Sequence, residues 1–205
     1  MIIEQPPRIY RLLFPGTIWR IPSKEKTVYL TFDDGPIPEI TPWVLDLLDK
    51  YGIKATFFCV GENVYKHPEV YEMVRARGHR VGNHTYNHIQ GMQYQTKNYA
   101  ANVMKAAEHI DSNLFRPPHG HMRRPQLRFL QKQFKVIMWD VVTRDYSPHL
   151  TPDDVFEVVK RYVRDGSVIV FHDSLKAEHN LIKALPRSIE WLLAQGYTFK
   201  PIEFE

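Results

Sequence analysis

One cysteine, Cys59, is all the chain contains. No internal disulfide can form, so an oxidising compartment gains no support. Cys59 lies in the apolar run ATFFCV, where a buried small hydrophobe is the better reading than a reactive thiol. Apolar stretches long enough to span a membrane are also missing. The opening residues, MIIEQPPRIYRLLFPGTIWRIP, have no continuous apolar region and no small-residue cleavage pattern. That reads as a cytoplasmic protein, or an exported one if a leading segment has been removed. Strong charge of one sign is absent too: 27 Lys and Arg face 23 Asp and Glu, a net +4. With no basic cluster interleaved with aromatics, nucleic acid is not expected as a partner. Neither GxGxxG nor GxxxxGK[ST] follows any apolar run, which counts against a nucleotide-binding sheet.

What remains is an ordinary globular composition, 43% hydrophobic over 205 residues, enough for one domain and one core. The punctuation is regular. KTVYLTF reads as a strand stopped by Gly35-Pro36, and TPWVLDLLDKYG as a helix with Thr41 as N-cap, Pro42 first and Gly52 as the stop. Strand ATFFCV, helix HPEVYEMVRARG and strand HRVGN follow. A helix over about Lys97–Asp111 precedes a short strand at Leu114–Arg116. Helix RPQLRFLQKQF leads to strand KVIMWD, and helix TPDDVFEVVKRYVRDG to strand SVIVFHD. A last helix ends near Gly196 before YTFK. Such alternation argues for an α/β fold with a parallel sheet, either doubly wound or closed as a barrel.

On that scaffold the reactive side chains gather at carboxyl ends of strands, where the loops of one face converge. Asp33 and Asp34 end the first strand, His84 and His88 follow the third, and Arg116 ends the fourth. Asp140 and Asp145 follow the fifth, and His172 with Asp173 end the sixth. HTYNH places two imidazoles at i and i+4, on one face if the segment turns helically. Two neutral imidazoles and a carboxylate suit a divalent metal with open positions, and Asp34 is the natural third ligand. The plainer readings are loop histidines bonded to backbone and a simple Asp-Gly turn. Beside such a metal, Asp33 could take a proton from water. His172 could give one to a leaving group if Asp145 or Asp173 keeps it charged.

The motifs TFDDGP, HTYNH, RPPHG, DVVTRDY and VIVFHD, in that order, resemble the polysaccharide deacetylases of carbohydrate esterase family four, with their NodB-homology domain. The resemblance runs from about Lys26 nearly to the C-terminus. It implies a single-domain distorted (β/α)7 barrel at 26–205, with residues 1–25 preceding it as a strap. It also implies one divalent metal ion, zinc first, with cobalt, nickel or manganese as alternatives. The activity implied is hydrolysis of acetyl groups from N-acetylated sugars. Carried over by position, Asp34, His84 and His88 match the metal ligands, Asp33 the base and His172 the acid. Arg116 matches the arginine orienting the base, and Asp145 the carboxylate paired with the acid. His119, after the prolines of RPPHG, is expected to offer its backbone N–H to the oxyanion.

Three positions depart from the family's habit: His119 and Tyr146 for other aromatics, and Phe171 for a leucine. Phe171, Val170 and Trp139, with His119 and Tyr146, are the candidate substrate-binding residues. Alternatives are O-acetyl glycan esterase activity, deacylation of a non-carbohydrate amide, a non-catalytic glycan-binding protein and, from the ligand set alone, a non-haem iron oxygenase. His119 and His121 could form a second metal site, but a hydrogen-bonded loop is the better reading. Arg8, Arg11, Arg20 and Lys24 among apolar residues suggest an interfacial membrane anchor. Prolines 6, 7, 15 and 22 break any long amphipathic helix, which favours a strap packed over the barrel bottom or the gap between the first and last strands. Oligomeric state is not legible.

Overall fold

The strand β1 (Thr27–Asp33) is buried at every position, because both of its faces are covered. The computed structural model describes residues 4–204. After α1 (Arg8–Arg11) and β1, the chain alternates through α2 (Thr41–Lys50), β2 (Thr56–Cys59), α3 (Gly61–Lys66), α4 (Pro68–Ala76) and β3 (Arg80–Asn83). It continues through α5 (Thr96–Ala107), β4 (Leu114–Phe115), α6 (Arg124–Leu130), β5 (Lys135–Val136) and β6 (Val141–Val142). Then come α7 (Pro152–Tyr162), β7 (Val168–His172), α8 (Glu178–Ala194) and β8 (Thr198–Phe199). Seven strands lie in the order β5-β4-β3-β2-β1-β7-β6, with β8 added beside β1. Every strand pairing is parallel. This is the single-domain α/β architecture expected, a distorted barrel of seven parallel strands.

The period of two sorts the strand residues. Val28, Leu30 and Phe32 face outward into a core shared with Val44, Leu45 and Leu48 of α2 and Leu181, Leu185 and Ile189 of α8. Tyr29 faces inward and packs with Phe58, Leu114, Ile137 and Val168. Thr31 and Asp33 continue that inner row towards the carboxyl end.

The expected strand KVIMWD divides. Its start is β5 on one edge of the sheet, and the chain emerges as β6 on the other edge, beside β7. The Ile137 amide still donates to the Phe115 carbonyl of β4 at 2.8 Å, and on the other side this segment pairs with the N-terminal strap: the Ile18 amide donates to the Val136 carbonyl at 2.9 Å, and the Met138 amide to the Ile18 carbonyl at 2.7 Å. Further along, the Ile21 amide donates to the Gly166 carbonyl at 2.9 Å. The strap therefore plugs the side of the barrel where β5 and β6 do not pair. Because of this division, Asp140 precedes β6 instead of ending β5, and it leaves the expected cluster. It is fully buried and accepts hydrogen bonds from Arg11 (2.6 Å), Arg164 (2.7 and 2.9 Å) and Ser167 (2.8 Å). Burial pushes its pKa up, but these donors prevail and hold it below the ordinary carboxylate value.

Two local expectations shift. Thr41 is the first residue of α2 and Ile40 the cap, because the Thr41 hydroxyl is engaged elsewhere. HTYNH is not helical: Thr85 and His88 take positive φ of 65° and 53°, and this irregular loop brings the histidines together.

Candidate active site

Register delivers the first contact. Asp33 and His172 are paired neighbours at the ends of β1 and β7, so their side chains leave the sheet on the same face. Arg116, completely buried just beyond β4, donates to Asp33 Oδ1 at 2.6 Å and to Thr31 Oγ1 at 2.8 Å. It also donates to the carbonyls of Ile137 (3.3 Å) and Met138 (3.1 Å), and its guanidinium lies 4.0 Å above the Phe58 ring. With four hydrogen bonds so placed, the guanidinium is fixed and one oxygen of Asp33 is clamped. The other, Oδ2, faces His84 Nε2 at 3.9 Å.

His172 is held in the same manner by a different carboxylate. Asp145, also fully buried, accepts from His172 Nδ1 at 2.7 Å and from its backbone amide at 2.8 Å. Tyr146 packs edge-on against the imidazole, ring centres 4.7 Å apart. Burial alone would lower the pKa of His172. The charge and hydrogen bond of Asp145, aided by Asp34 and Asp33, raise it instead to about 9. The ring is therefore an imidazolium at neutral pH.

Asp34, His84 and His88 each bring one ligand atom to within 4.8 Å of the others. His84 Nδ1 lies 2.8 Å from the Arg116 carbonyl, which fixes Nδ1 as the protonated nitrogen and turns the Nε2 lone pair toward Asp34. Burial is the main cause that brings the pKa of His84 down to about 4, so the ring is neutral. His88 Nε2 approaches Asp34 Oδ1 at 3.1 Å, yet that oxygen is buried without a properly directed hydrogen bond. For Asp34, burial works upward, but His88, His172 and His84 overcome it and hold the carboxyl well below the ordinary range. A buried carboxylate oxygen without a donor among the described residues, facing two imidazole nitrogens, fits a divalent cation.

The turn carrying these carboxylates is supported by a residue the sequence reading left as an alternative partner for His172. Asp173 accepts from the Gly35 amide at 3.0 Å and from the Thr41 hydroxyl at 2.7 Å, and Thr41 in turn accepts from the Ile37 amide at 2.8 Å. A Cβ at position 35 would fall inside the Asp173 carboxylate, which is why glycine stands there. Burial raises the pKa of Asp173 to about 8.

One cavity of about 490 Å³ joins these groups. Asp33, Asp34, His84, His88 and His172 line it, as do His119, Trp139, Tyr146 and Val170 from the expected substrate-binding set. Phe171 does not. It alternates with Val170 and His172, so it faces outward, fully buried against Phe32 with ring centres 6.4 Å apart. His119 sits at φ 58° in the turn Pro118–Gly120, and its ring centre is 5.0 Å from that of His88. Among the described residues its backbone amide has no partner. Gly120, at φ 67°, lies against the Trp139 ring, where a Cβ would not fit. His121 Nδ1 bonds Gln90 Nε2 at 2.7 Å, a hydrogen-bonded loop and not part of the metal cluster. Sequence reasoning missed Gln90, Val142 and Lys176 on this wall, and Pro6 and Tyr10 from the strap. No spacing points to them, since they come from loops, an edge strand and a segment outside the motifs.

Residues 20–137 match the polysaccharide deacetylase family. The chain is similar to a peptidoglycan-N-acetylglucosamine deacetylase of Bacillus cereus, 31% identical with 88% of each chain covered. It is also similar to a chitooligosaccharide deacetylase of Azorhizobium caulinodans, 28% identical over 91% of this chain and 98% of the other. A crystal structure of a peptidoglycan N-acetylglucosamine deacetylase superposes with a TM-score of 0.86 at 31% identity, covering 91% of each chain. Family match, relatives and barrel agree: the chain belongs to the polysaccharide deacetylases, a family of metal-dependent enzymes that remove acetyl groups from N-acetylated glycans.

Proposed function

We propose that this protein hydrolyses the acetamide of N-acetylglucosamine residues in a glycan, with zinc as its metal and Asp33 and His172 as base and acid. One observation carries this reading. A carboxylate clamped by a buried arginine and an imidazolium clamped by a buried aspartate flank the Asp34–His84–His88 cluster on adjacent strand ends.

Asp34, His84 and His88 would hold the ion. When bound, it supplies Lewis-acid polarisation of the carbonyl and a lowered pKa for water. Asp33 keeps Oδ2 free on the cluster side while Arg116 holds Oδ1, so Oδ2 takes the proton of the attacking water. The water oxygen bonds to the acyl carbon, and the carbonyl electrons move onto oxygen. The His119 amide, aimed by its left-handed turn, donates to that oxyanion. Nδ1 of His172 is fixed by Asp145, so Nε2 delivers its proton to the amine nitrogen as the C–N bond breaks. The oxyanion electrons re-form the C=O as that bond breaks, and acetic acid and a free amino sugar leave; the acid ionises to acetate, Asp33 gives its proton to solvent and His172 is reprotonated. Arg116 and Asp145 act by position and charge, not by proton transfer. Retention of both acid and base speaks against a merely glycan-binding role.

Acetate release from N-acetylglucosamine oligomers, peptidoglycan fragments and acetylated xylan, with added zinc or cobalt, tests the reading. Release from the N-acetylated substrates is expected. No acetate from any of them would overturn it, and release from xylan alone would make the enzyme an ester hydrolase.

A further inference from the structure

The apolar wall of the cavity does not come from the barrel alone. Pro6 and Tyr10 of the strap line it together with Trp139, Val142 and Tyr146. They reach it because the barrel is unpaired between β5 and β6, and the strap is the plug. Resting on the deacetylase reading, we propose that Tyr10 and Trp139 form a platform for a second sugar ring beside the one that loses its acetyl group. The N-terminal strap then sets the enzyme's preference for glycan length.

Three observations support this. First, a cavity of about 490 Å³ lies within the range of about 300–1,000 Å³ that takes up a whole small ligand. An acetyl group fills only a corner of it. Second, the lining is mixed. Beside the aromatic rings it carries the polar side chains of Gln90, His119, His121 and Lys176. A pyranose has the matching chemistry: a C–H face that packs on an aromatic ring, and an edge of hydroxyls that needs donors and acceptors. Third, the platform is rigid. Tyr10 meets Trp19 edge-on at 6.0 Å and Phe14 at 5.5 Å, and Trp19 meets Trp139 at 6.4 Å. The strap is pinned at several points: Arg11 on buried Asp140 at 2.6 Å, the Glu4 carbonyl on the Val142 amide at 2.9 Å, and Glu4 on Arg144 at 2.7 Å. A tyrosine fixed in this way binds at little cost in side-chain entropy.

The test measures kcat and KM for acetate release from N-acetylglucosamine monomer through tetramer with the metal-loaded full chain, wild type against Tyr10→Ala and Tyr10→Phe. Wild type should show KM falling from monomer to dimer. Tyr10→Ala should raise KM for the dimer and longer oligomers about tenfold while moving KM for the monomer much less, and Tyr10→Phe, which keeps the ring, should stay near wild type. A merely structural loss would shift every length alike. Equal shifts across lengths, no shift, or a Tyr10→Phe variant as impaired as Tyr10→Ala would each overturn the proposal. Binding of the tetramer followed by tryptophan fluorescence gives a second readout: the alanine variant should bind about tenfold more weakly, and unchanged affinity would refute the platform. Failure of wild type to release acetate at any length would instead indict the deacetylase reading.

Discussion

Replacing Asp145 by Asn tests whether a single buried carboxylate keeps His172 in its acid form. In the native site Asp145 accepts from both Nδ1 and the backbone amide of His172, at 2.7 and 2.8 Å. Against the cost of burial, that pairing contributes most to raising the pKa from 6.5 to about 9. The gap corresponds to about 3 kcal/mol favouring the charged ring. Asparagine is nearly isosteric, but it brings no charge and only one acceptor: with its oxygen on the His172 amide, its NH2 group faces Nδ1 and favours the neutral ring. The sign follows directly. Catalysis by the imidazolium is retained below the pKa and lost as pH rises through it, so the alkaline limb should move from near 9 toward the ordinary value. At pH 7.5 protonation alone then predicts about a tenfold loss in kcat/KM. Stability carries the same signature. A raised folded pKa contributes stability that is complete below 6.5 and lost as pH climbs to about 9, and the variant should flatten that decline. The assay is a pH profile of kcat/KM for acetate release on an accepted oligomer, with thermal melts at pH 6 and 9. An alkaline limb unchanged in Asp145→Asn would refute the argument.

The neighbouring aspartates should fail differently. Asp33→Asn is expected to abolish turnover while keeping bound metal, whereas Asp34→Asn should lose the metal, both read by metal analysis beside acetate release. Asp33→Ala leaves Arg116 buried without its carboxylate and should destabilise the fold by about 3–5 kcal/mol in denaturant titration. Chelation should silence the enzyme and lower its melting temperature; zinc at a hundred times its dissociation constant should return about 2.7 kcal/mol. Asp173→Ala strips the Gly35 amide and the Thr41 hydroxyl of their acceptor, and should lower metal affinity along with about 1–3 kcal/mol of stability.

The parts of this molecule that were legible in its sequence are those governed by short-range rules. Alternation of strands and helices gave the architecture, because each buried strand is an apolar run bounded by turn residues. The reactive residues were legible because parallel strands all end on one face, whatever their order in the sheet. Order itself was hidden: nothing local says that Val141 pairs beside β7 while Lys135 pairs beside β4. Asp140 was misplaced for that reason, since its neighbourhood depends on which side of a break it falls. Phe171 is a simpler case. The period of two, applied from His172, turns position 171 away from the cavity. The strap was visible only as a proline-rich segment, and the contribution of Tyr10 to the cavity depends on a gap in the barrel that no motif encodes.

That gap also clarifies why two adjacent carboxylates can hold separate places. Strand geometry would send Asp33 and Asp34 to opposite faces. β1 ends at Asp33, and Asp34 adopts φ 84°, so the chain leaves the sheet at this residue and both side chains line one cavity. The surroundings then divide them. Arg116 reaches Asp33 from inside the barrel, where the inner row of Thr31 and Asp33 offers it two acceptors. Arg116 also donates to the carbonyls of Ile137 and Met138, in the segment where β5 gives way to the strap. Asp34 receives no such donor and turns to the histidine loop. Gly35 seats the turn on Asp173, with no room for a side chain to push the two apart. A swap of roles would require the arginine to reach past the strand end. The Arg116 clamp on Asp33 thus rests partly on carbonyls of the segment that pairs with the strap, while Asp34 is left facing the histidine loop.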